Sequence, residues 1–524
     1  MNENNVTPEI DETYDADEQN ETEEDTNSML ERFNEQIENL QDMENDFLRE
    51  LEKSKILDFD FGLNYESEDN PSSDDECEDN LDDVDIPSWM DSLSDEDYFE
   101  IEFMTHDLIG EYMQYEVIYM SNPQFHENMK GDITDVLFQQ LLESGLCKNE
   151  NLEELESLVS EFCDNFFETH QNVPPRSYKN TFVTNDPVNS KFIQTMKTKI
   201  EGLQSIEQPP QRTPEWYAFR HNLITASNIW KALGSESQQN ALIYEKCKPF
   251  EYLTNENTSV NVNSPLHWGN KYERISIAIY EKLYDTHVSD FGCIQHPVYR
   301  FIGASPDGIN TLETSPRYGR MVEVKNIFNR EITGIPKEEY WIQMQFQMET
   351  CDLDECDFLE TRFKEYESEE EFYSGELLHE HRGIILYFLK KITSGLDNVT
   401  NTPHYVYMPL DIELTKESIN EWIKSTRASL KTEYSLYETQ YWYLDEISVV
   451  FVKRNREWFN SCIPRIEKIW RTIEEERVTG YEHRAVKKKP LVTHSTEETS
   501  QYIKHMPSTK NVCLVKLDEN GEII

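Results

Sequence analysis

Gly303-Ala304-Ser305-Pro306-Asp307-Gly308-Ile309, followed after a polar interlude by Met321-Val322-Glu323-Val324-Lys325, is the stretch whose reading decides the fold. A short apolar run delivers Asp307 onto a Pro/Gly turn. The second segment alternates as a strand does, with Val322 and Val324 on one face and Glu323 and Lys325 on the other. The pattern predicts two carboxylates and a lysine converging on one place. Carboxylate oxygens are the ligands that Mg²⁺ and Mn²⁺ prefer. A lysine beside them can orient an attacking water or stabilise charge in a transition state. These groups are the smallest set that metal-assisted phosphodiester hydrolysis needs.

Further segments stand in order around this stretch. Arg212-Thr213-Pro214-Glu215-Trp216-Tyr217-Ala218-Phe219-Arg220 is followed by Ile224-Thr225-Ala226-Ser227. Thr213 as N-cap and Pro214 at the first helical position predict a helix that ends near Arg220. Ile224 to Ser227 is expected to open a second helix. A guanidinium with hydroxyl and amide donors at a helix N-terminus makes an anion site; a structural salt bridge and an N-cap would use the same residues. Asn263 to Gly269 leads into a helix holding Tyr272, Ile275, Ile279, Tyr280 and Leu283, with Glu273 in its first turns, where the helix dipole favours an acid. Residues 338–350 predict a helix on which Tyr340, Trp341, Met344, Phe346 and Met348 pack, leaving Gln343 and Gln345 on a polar face or turned to the site. Strands near Phe291–Gln295, at Phe301–Ala304 and at Arg320–Lys325 are expected to form one short sheet, completed by Cys356–Phe363.

This ordered set resembles the PD-(D/E)XK nuclease signature in its lambda-exonuclease-like (YqaJ-type) branch, in the form seen in large DNA viruses of protists. The resemblance is close over about residues 205–365 and looser to about 475, around Arg456-Glu457-Trp458-Phe459. It implies an α/β (α+β) restriction-endonuclease-like core, a mixed central sheet flanked by helices. It implies Asp307 and Glu323 as metal ligands, with the Val324 carbonyl as a third, and Glu273 bearing on the metal from its helix. Lys325 would stand beside the attacking water, and Gln345 would contact the catalytic centre. Arg220 and Ser227 would hold the 5′-phosphate of the strand being digested. Ser305 and Gln343 would join them, although a turn-capping hydroxyl also explains Ser305. The activity implied is a Mg²⁺-dependent DNA exonuclease, with Mn²⁺ as an alternative ion, running 5′ to 3′ on double-stranded ends in viral DNA recombination, repair or replication. An endonuclease or nickase with the same core, or a catalytically inactive interaction protein, are the alternatives. The partners implied are double-stranded DNA, a single-strand annealing or replication protein, and further copies of the chain.

Composition bears on these readings. The 524 residues carry a formal net charge of −55, which opposes DNA binding in bulk. About −33 of it falls in residues 1–100, against about −13 in residues 205–475. Nine cysteines are scattered without a CxxC pair or zinc spacing, so reduced thiols, no zinc and no iron–sulfur cluster are expected. His267 and His296 have no second histidine at ligand spacing and are read as non-ligands. No signal peptide or bilayer-spanning run is found. A non-secreted protein without a membrane partner is expected, in the host cytoplasm (viral factory) or the virion, with the nucleus as another compartment.

The expected organisation runs as follows. Residues 1–97 form an acidic, mostly disordered arm with one amphipathic helix over 28–56. Residues 98–176 form a helical region of three helices, the first packing through Phe99, Ile101, Phe103, Met104, Leu108, Ile109, Tyr112 and Met113. Residues 177–204 are a connector with a helix from Lys191 to Leu203, residues 205–475 the nuclease domain with a C-terminal elaboration, and residues 476–524 a tail. Within the elaboration, 364–380 is expected as an exposed loop. Gly383–Leu389, Val406–Met408 and Val449–Phe451 are expected as strands, and Leu414–Leu436 as a helix. Arg454, Arg456, Lys468 and Arg471 give its end a basic character suited to lining DNA. The tail holds Lys487-Lys488-Lys489 and a hairpin pattern over 512–524.

Overall fold

Capping residues set the first helices of this computed structural model, which describes residues 88–169, 174–179, 181, 190–210, 213–250, 264–374, 379–391 and 403–485. The expected amphipathic helix over 28–56, the basic triplet at 487–489 and the hairpin over 512–524 lie outside the described residues. Helix α1 (Asp95–Glu116) starts in a capping box, in which Ser94 and Asp97 each accept the other's backbone amide. Helix α2 (Phe125–Ser144) ends at Gly145, whose φ of 80° only a residue without Cβ adopts freely. Helix α3 (Leu152–Thr169) buries Leu155, Leu158, Val159, Phe162, Phe166 and Phe167 along one stripe. The packed face of α1 differs from the expected one. Ile101, Thr105, Ile109 and Met113 are buried at intervals of four, while Phe99 and Phe103 are each 66% exposed. The partner helices contact a narrower stripe than the apolar residues alone outline.

Helix α4 (Ser190–Gln204) buries Met196, Ile200 and Leu203. Helix α5 (Pro214–His221) begins as its cap requires, with the Trp216 amide donating to Thr213 Oγ1 at 3.2 Å. Strand β1 (Ile224–Thr225) and helices α6 (Trp230–Leu233) and α7 (Glu236–Cys247) follow, then α8 (Pro265–Tyr284), capped by Ser264. Next come β2 (Val288–Ser289), β3 (Ile294–Gln295), β4 (Ile302–Ala304), β5 (Gly308–Asn310) and β6 (Met321–Asn326). Helix α9 (Glu338–Cys351), β7 (Glu355–Glu365), α10 (Glu369–Ser374), β8 (Arg382–Lys390), β9 (His404–Tyr407), α11 (Lys416–Leu430), β10 (Tyr434–Lys453) and α12 (Arg456–Thr479) complete the order.

The strands form a mixed architecture flanked by helices, as the fold expectation holds, but they divide into two sheets rather than one. A three-stranded sheet runs β1-β4-β3 and a seven-stranded sheet runs β2-β5-β6-β7-β10-β8-β9. Ile224 and Thr225 are a strand parallel to β4, not the start of a helix. Both are β-branched and buried, and the Ile224 and Ala226 amides donate to the carbonyls of Phe301 and Gly303 at 2.7 and 2.8 Å. Strand pairing overrides the local helix signal there. In the large sheet β6 and β7 are parallel and the other pairs antiparallel. The 20-residue β10 pairs with β8 over its first half and with β7 over its second. It begins at Tyr434, inside the expected helix, which stops at Leu430. The expected loop at 364–380 contains α10, because Phe372 is fully buried in a small cluster with Ile384 and Leu386.

One hydrophobic core joins α1–α3, α9 and α12, running from Ile101 to Ile473. Polar bonds reinforce it. Trp458 Nε1 donates to the Ile118 carbonyl at 3.0 Å, Trp341 Nε1 to the Arg176 carbonyl at 2.6 Å, and Arg176 Nη2 to the carbonyls of Ser121 and Pro336. No helix among the described residues is long and apolar enough to cross a membrane.

A pH-dependent term sits in this helical region. His126 Nε2 accepts the Arg176 amide at 2.9 Å. Burial, then the nearby Lys130 and Arg176 charges, lowers its pKa from 6.5 to about 4. The folded imidazole therefore stays neutral where the unfolded one binds a proton. Its contribution is complete above pH 6.5 and is lost as pH falls from 6.5 towards 4. The expected loss between pH 7 and pH 5 is about 2 kcal/mol. Urea unfolding at the two pH values should show this loss in the wild type and a smaller one in His126→Gln. Equal losses would show that His126 is not the group that titrates.

Candidate active site

Strand β4 hands the chain to Ser305-Pro306-Asp307, and β5 returns it antiparallel to β6 with Gly308 opposite Val322. A Cβ on Gly308 would lie 2.1 Å from Val288 Cγ1, so a side chain there would push against the neighbouring strand β2. This brings Asp307 over β6, where its Oδ2 accepts the Val324 amide at 2.8 Å. Glu323 and Lys325, two apart on β6, share the opposite face from Val322 and Val324. Glu323 is fully buried, Lys325 is half-buried, and the Lys325 ammonium donates to Glu323 Oε1. The expected convergence of Asp307, Glu323 and Lys325 is present in this geometry.

Helices supply the rest. From α9, Gln343 Nε2 donates to Glu323 Oε1 at 2.7 Å and Gln347 Nε2 to Glu323 Oε2 at 2.8 Å. From α8, Glu273 lines the same cleft as Asp307 and adds to its field. Asn326 Nδ2 donates to the Gly269 carbonyl at 2.7 Å, tying the end of β6 to the first turn of α8. From the end of α5, Arg220 Nη1 donates to Ser305 Oγ at 2.9 Å, and its guanidinium lies 4.6 Å from the centre of the Trp216 ring. Ser227 is exposed in the turn after β1, its hydroxyl 3.2 Å from that of Thr225. The helix that follows, α6, has its N-cap position at Ile229, so Ser227 is not a helix N-cap, and it lines the cleft. Arg220, Ser227, Ser305, Asp307, Glu273 and Gln343 all line one cleft of about 380 Å³.

Gln345 does not belong to it. Gln345 is buried, gives its Nε2 to the Lys453 carbonyl at 2.9 Å and takes the Asn455 amide on Oε1 at 2.7 Å. Two residues along a helix rotate a side chain by about 200°, whereas four return it to nearly the same face. Gln343 and Gln347 therefore face Glu323 while Gln345 anchors the turn from β10 to α12. Sequence reasoning missed Gln347, and the signal available was its spacing of four from Gln343. Arg454 also departs from its expected role on a DNA-lining surface. Its side chain is 3% exposed and is held by Asp352 and Asp354. His267 Nε2 lies 2.6 Å from the Tyr405 hydroxyl, and His296 Nδ1 accepts the amides of Val298 and Tyr299, so both rings have structural partners.

The electrostatics are those of crowded carboxylates. Burial, then the Glu323 and Glu273 charges, pushes Asp307 well above the usual carboxylate range despite Lys325 and the Val324 amide. Burial alone would lower Lys325, but Glu323 and Asp307 outweigh it and hold its pKa up. Asp307 thus has two carboxylates, Glu323 and Glu273, and the Lys325 ammonium acting on it, a crowding of negative charge that a divalent cation relieves. Among the described residues no three His, Cys, Asp or Glu side chains stand as a ready-made coordination set. The donor set nevertheless fits Mg²⁺ or Mn²⁺, which take one or two carboxylates and keep several waters.

Residues 215–354 match the family model described as the YqaJ-like viral recombinase domain. The chain carries a YqaJ-like domain. The match runs from Glu215 on α5 to Asp354 after α9, so the YqaJ-like domain holds every residue of the cleft named above. An uncharacterized protein of Acanthamoeba polyphaga mimivirus is 28% identical over 305 residues, 52% of this chain and 54% of that protein. The chain thus spans about half the length of the curated relative it matches. Two solved structures are also similar. An alkaline exonuclease from Laribacter hongkongensis has 17% identity and a TM-score of 0.28, covering 51% of this chain and 94% of that one. A phage-related exonuclease from Haemophilus somnus has 15% identity and a TM-score of 0.26, covering 48% and 94%. At such TM-scores neither supports any conclusion about the YqaJ-like domain.

Proposed function

We propose that this chain is a divalent-metal-dependent deoxyribonuclease, an exonuclease that degrades double-stranded DNA from its ends in the 5′ to 3′ direction. The observation that carries the reading is that Asp307, bonded to β6 beside the buried Glu323–Lys325 pair, lines one cleft of a YqaJ-like domain together with Glu273, Arg220 and the hydroxyl residues Ser227 and Ser305. Asp307 and Glu323 would hold the cation, with Glu273 beside them. When bound, that cation lowers the pKa of water and neutralises charge on the phosphate. Glu323 is held in a single orientation by Lys325, Gln343 and Gln347, so little reorganisation is left for the reaction itself. Lys325 presents an ammonium next to the reacting phosphate, where it orients the attacking water and stabilises the growing negative charge. Arg220, steadied by the Trp216 ring and Ser305, offers a fork of donors that matches a terminal phosphate. The hydroxyl of Ser227 adds a further donor. A phosphate held by these groups favours a DNA end over an internal bond.

The mimivirus relative supports a viral setting, in which such an enzyme resects genome ends for recombination, repair or replication. Double-stranded DNA is the partner this reading requires.

The test is digestion of linear duplex DNA carrying a 5′-phosphate on one strand, with Mg²⁺ or with EDTA. The phosphorylated strand should be lost only with metal. Lys325→Ala should slow that loss by about 100- to 1,000-fold. Arg220→Gln should erase the preference for phosphorylated over hydroxyl ends. Cutting of closed circles would make the enzyme an endonuclease. No cleavage with any divalent cation would end the nuclease reading.

A further inference from the structure

Helix α9 carries three buried glutamines in alternate positions, and one of them is only half satisfied. Gln345 is bonded at both ends of its amide, to Lys453 and Asn455. Gln347 is fully buried and gives its Nε2 to two acceptors, Glu323 Oε2 at 2.8 Å and the Ser305 carbonyl at 3.1 Å. Its Oε1 is buried and has no partner within the protein. Neither group facing Nε2 can donate, so the amide cannot be turned over to satisfy Oε1. A buried acceptor left without a donor costs about 1–3 kcal/mol. An apolar side chain of the same shape would avoid that cost, which directs attention to what the amide does.

What it does is join two segments. Asp307 comes from the turn between β4 and β5, and Glu323 comes from β6. Their charges repel, so ties must hold them near each other before a cation arrives. One tie is the Val324 amide on Asp307. The Lys325 ammonium, bonded to Glu323 and attracted to both carboxylates, is another. A third runs through Gln347, which grips Glu323 with the same nitrogen that grips Ser305, two residues before Asp307. Gln343 reaches Glu323 alone.

We infer that Gln347 is a positioning residue for the divalent cation: its Nε2 ties the Ser305-Pro306-Asp307 turn to Glu323, and its unpartnered Oε1 accepts a hydrogen bond from water that enters with the ion. The inference rests on the nuclease reading, because it needs Asp307 and Glu323 to share a cation. Waters beside a divalent cation turn their oxygens to it and their hydrogens outward, so an acceptor is the complementary neighbour. Loss of such an outer partner weakens metal binding by about 10- to 100-fold.

The experiment is calorimetric titration of the full chain with Mn²⁺, without DNA. Gln347→Met removes the amide at nearly constant volume, and Gln347→Asn keeps an amide too short to reach both acceptors. Gln345→Met is the control for a buried glutamine lost from the same helix. The Mn²⁺ Kd should rise about 10- to 100-fold in both Gln347 variants and stay at the wild-type value in Gln345→Met. Saturating Mn²⁺ should restore most of kcat to the Gln347 variants. An unchanged Kd in either folded Gln347 variant would overturn the inference and leave the nuclease reading standing. A rise of the same size in Gln345→Met would also overturn it, by marking general loosening of α9. If the wild type binds no Mn²⁺, the nuclease reading falls and the inference with it.

Discussion

Asp307→Asn should abolish metal-dependent DNA cleavage and, in EDTA, melt at a higher temperature than the wild type. The first effect follows from the donor set. Asp307 lines the cleft and Glu323 lies buried beside it, the two joined across the turn by the Val324 amide and Gln347. Replacing one carboxylate by a neutral amide removes an anionic ligand that a hard cation needs. The expected loss is at least about 1,000-fold in rate, roughly 4 kcal/mol of transition-state stabilisation. The second effect follows from repulsion. Burial, then Glu323 and Glu273, raises the Asp307 pKa well above its ordinary 3.8. A carboxyl raised in the folded state favours folding when protonated. That contribution is complete below pH 3.8 and is lost as pH rises through the folded value. At neutral pH without metal the ionised group therefore opposes folding. Asparagine removes the charge, and its side-chain oxygen can still accept the Val324 amide. Each kcal/mol relieved should raise Tm by about 2–4 °C. Circular dichroism melts in EDTA, beside the duplex digestion assay, measure both effects. Retained cleavage would remove Asp307 from the metal site. A lower Tm would mean that the Val324 bond outweighs the repulsion.

Asp357→Ala should be the most damaging single substitution for stability, costing about 3–5 kcal/mol. Asp357 lies on β7 beside Val322, on the face of the sheet away from Glu323. It is fully buried and accepts from Arg317, from Arg320 at 3.1 Å, and from the hydroxyls of Thr181 and Tyr280, each at 2.7 Å. The two arginine side chains are 3% and 1% exposed. Removing the carboxylate would leave both guanidinium groups buried, with Arg320 still reaching Glu355 at 3.0 Å. An uncompensated buried charge costs more than the lost bonds. Urea unfolding measures the effect, and Asp357→Leu combined with Arg317→Met should recover part of it by removing one stranded charge. A loss below about 1 kcal/mol would show that water reaches the two arginines when Asp357 is gone.

The sequence by itself determined what short-range chemistry controls. The Pro306–Gly308 turn and the alternation from Val322 to Lys325 located Asp307, Glu323 and Lys325, and both features stand where the pattern put them. Thr213-Pro214 marked a helix start, because a capping hydroxyl followed by proline acts within a few residues. The positions of Arg220 and Ser305 were legible as residues, but not the bond between them. What only the tertiary structure decided involves partners distant in the chain. Ile224–Ser227 has a helix signal, yet Ile224 and Thr225 are a strand because the edge of β4 offered backbone partners. Three glutamines two apart look equivalent on paper. The rotation of α9 against β6 turned Gln343 and Gln347 to Glu323 and sent Gln345 to Asn455. Asp357 with Arg317 and Arg320 gave no local sign, since those contacts span 40 and 37 residues. Propensity and capping act through the nearest turn of backbone, whereas strand partners and helix rotation are chosen by burial over the whole core, which no short window of residues contains.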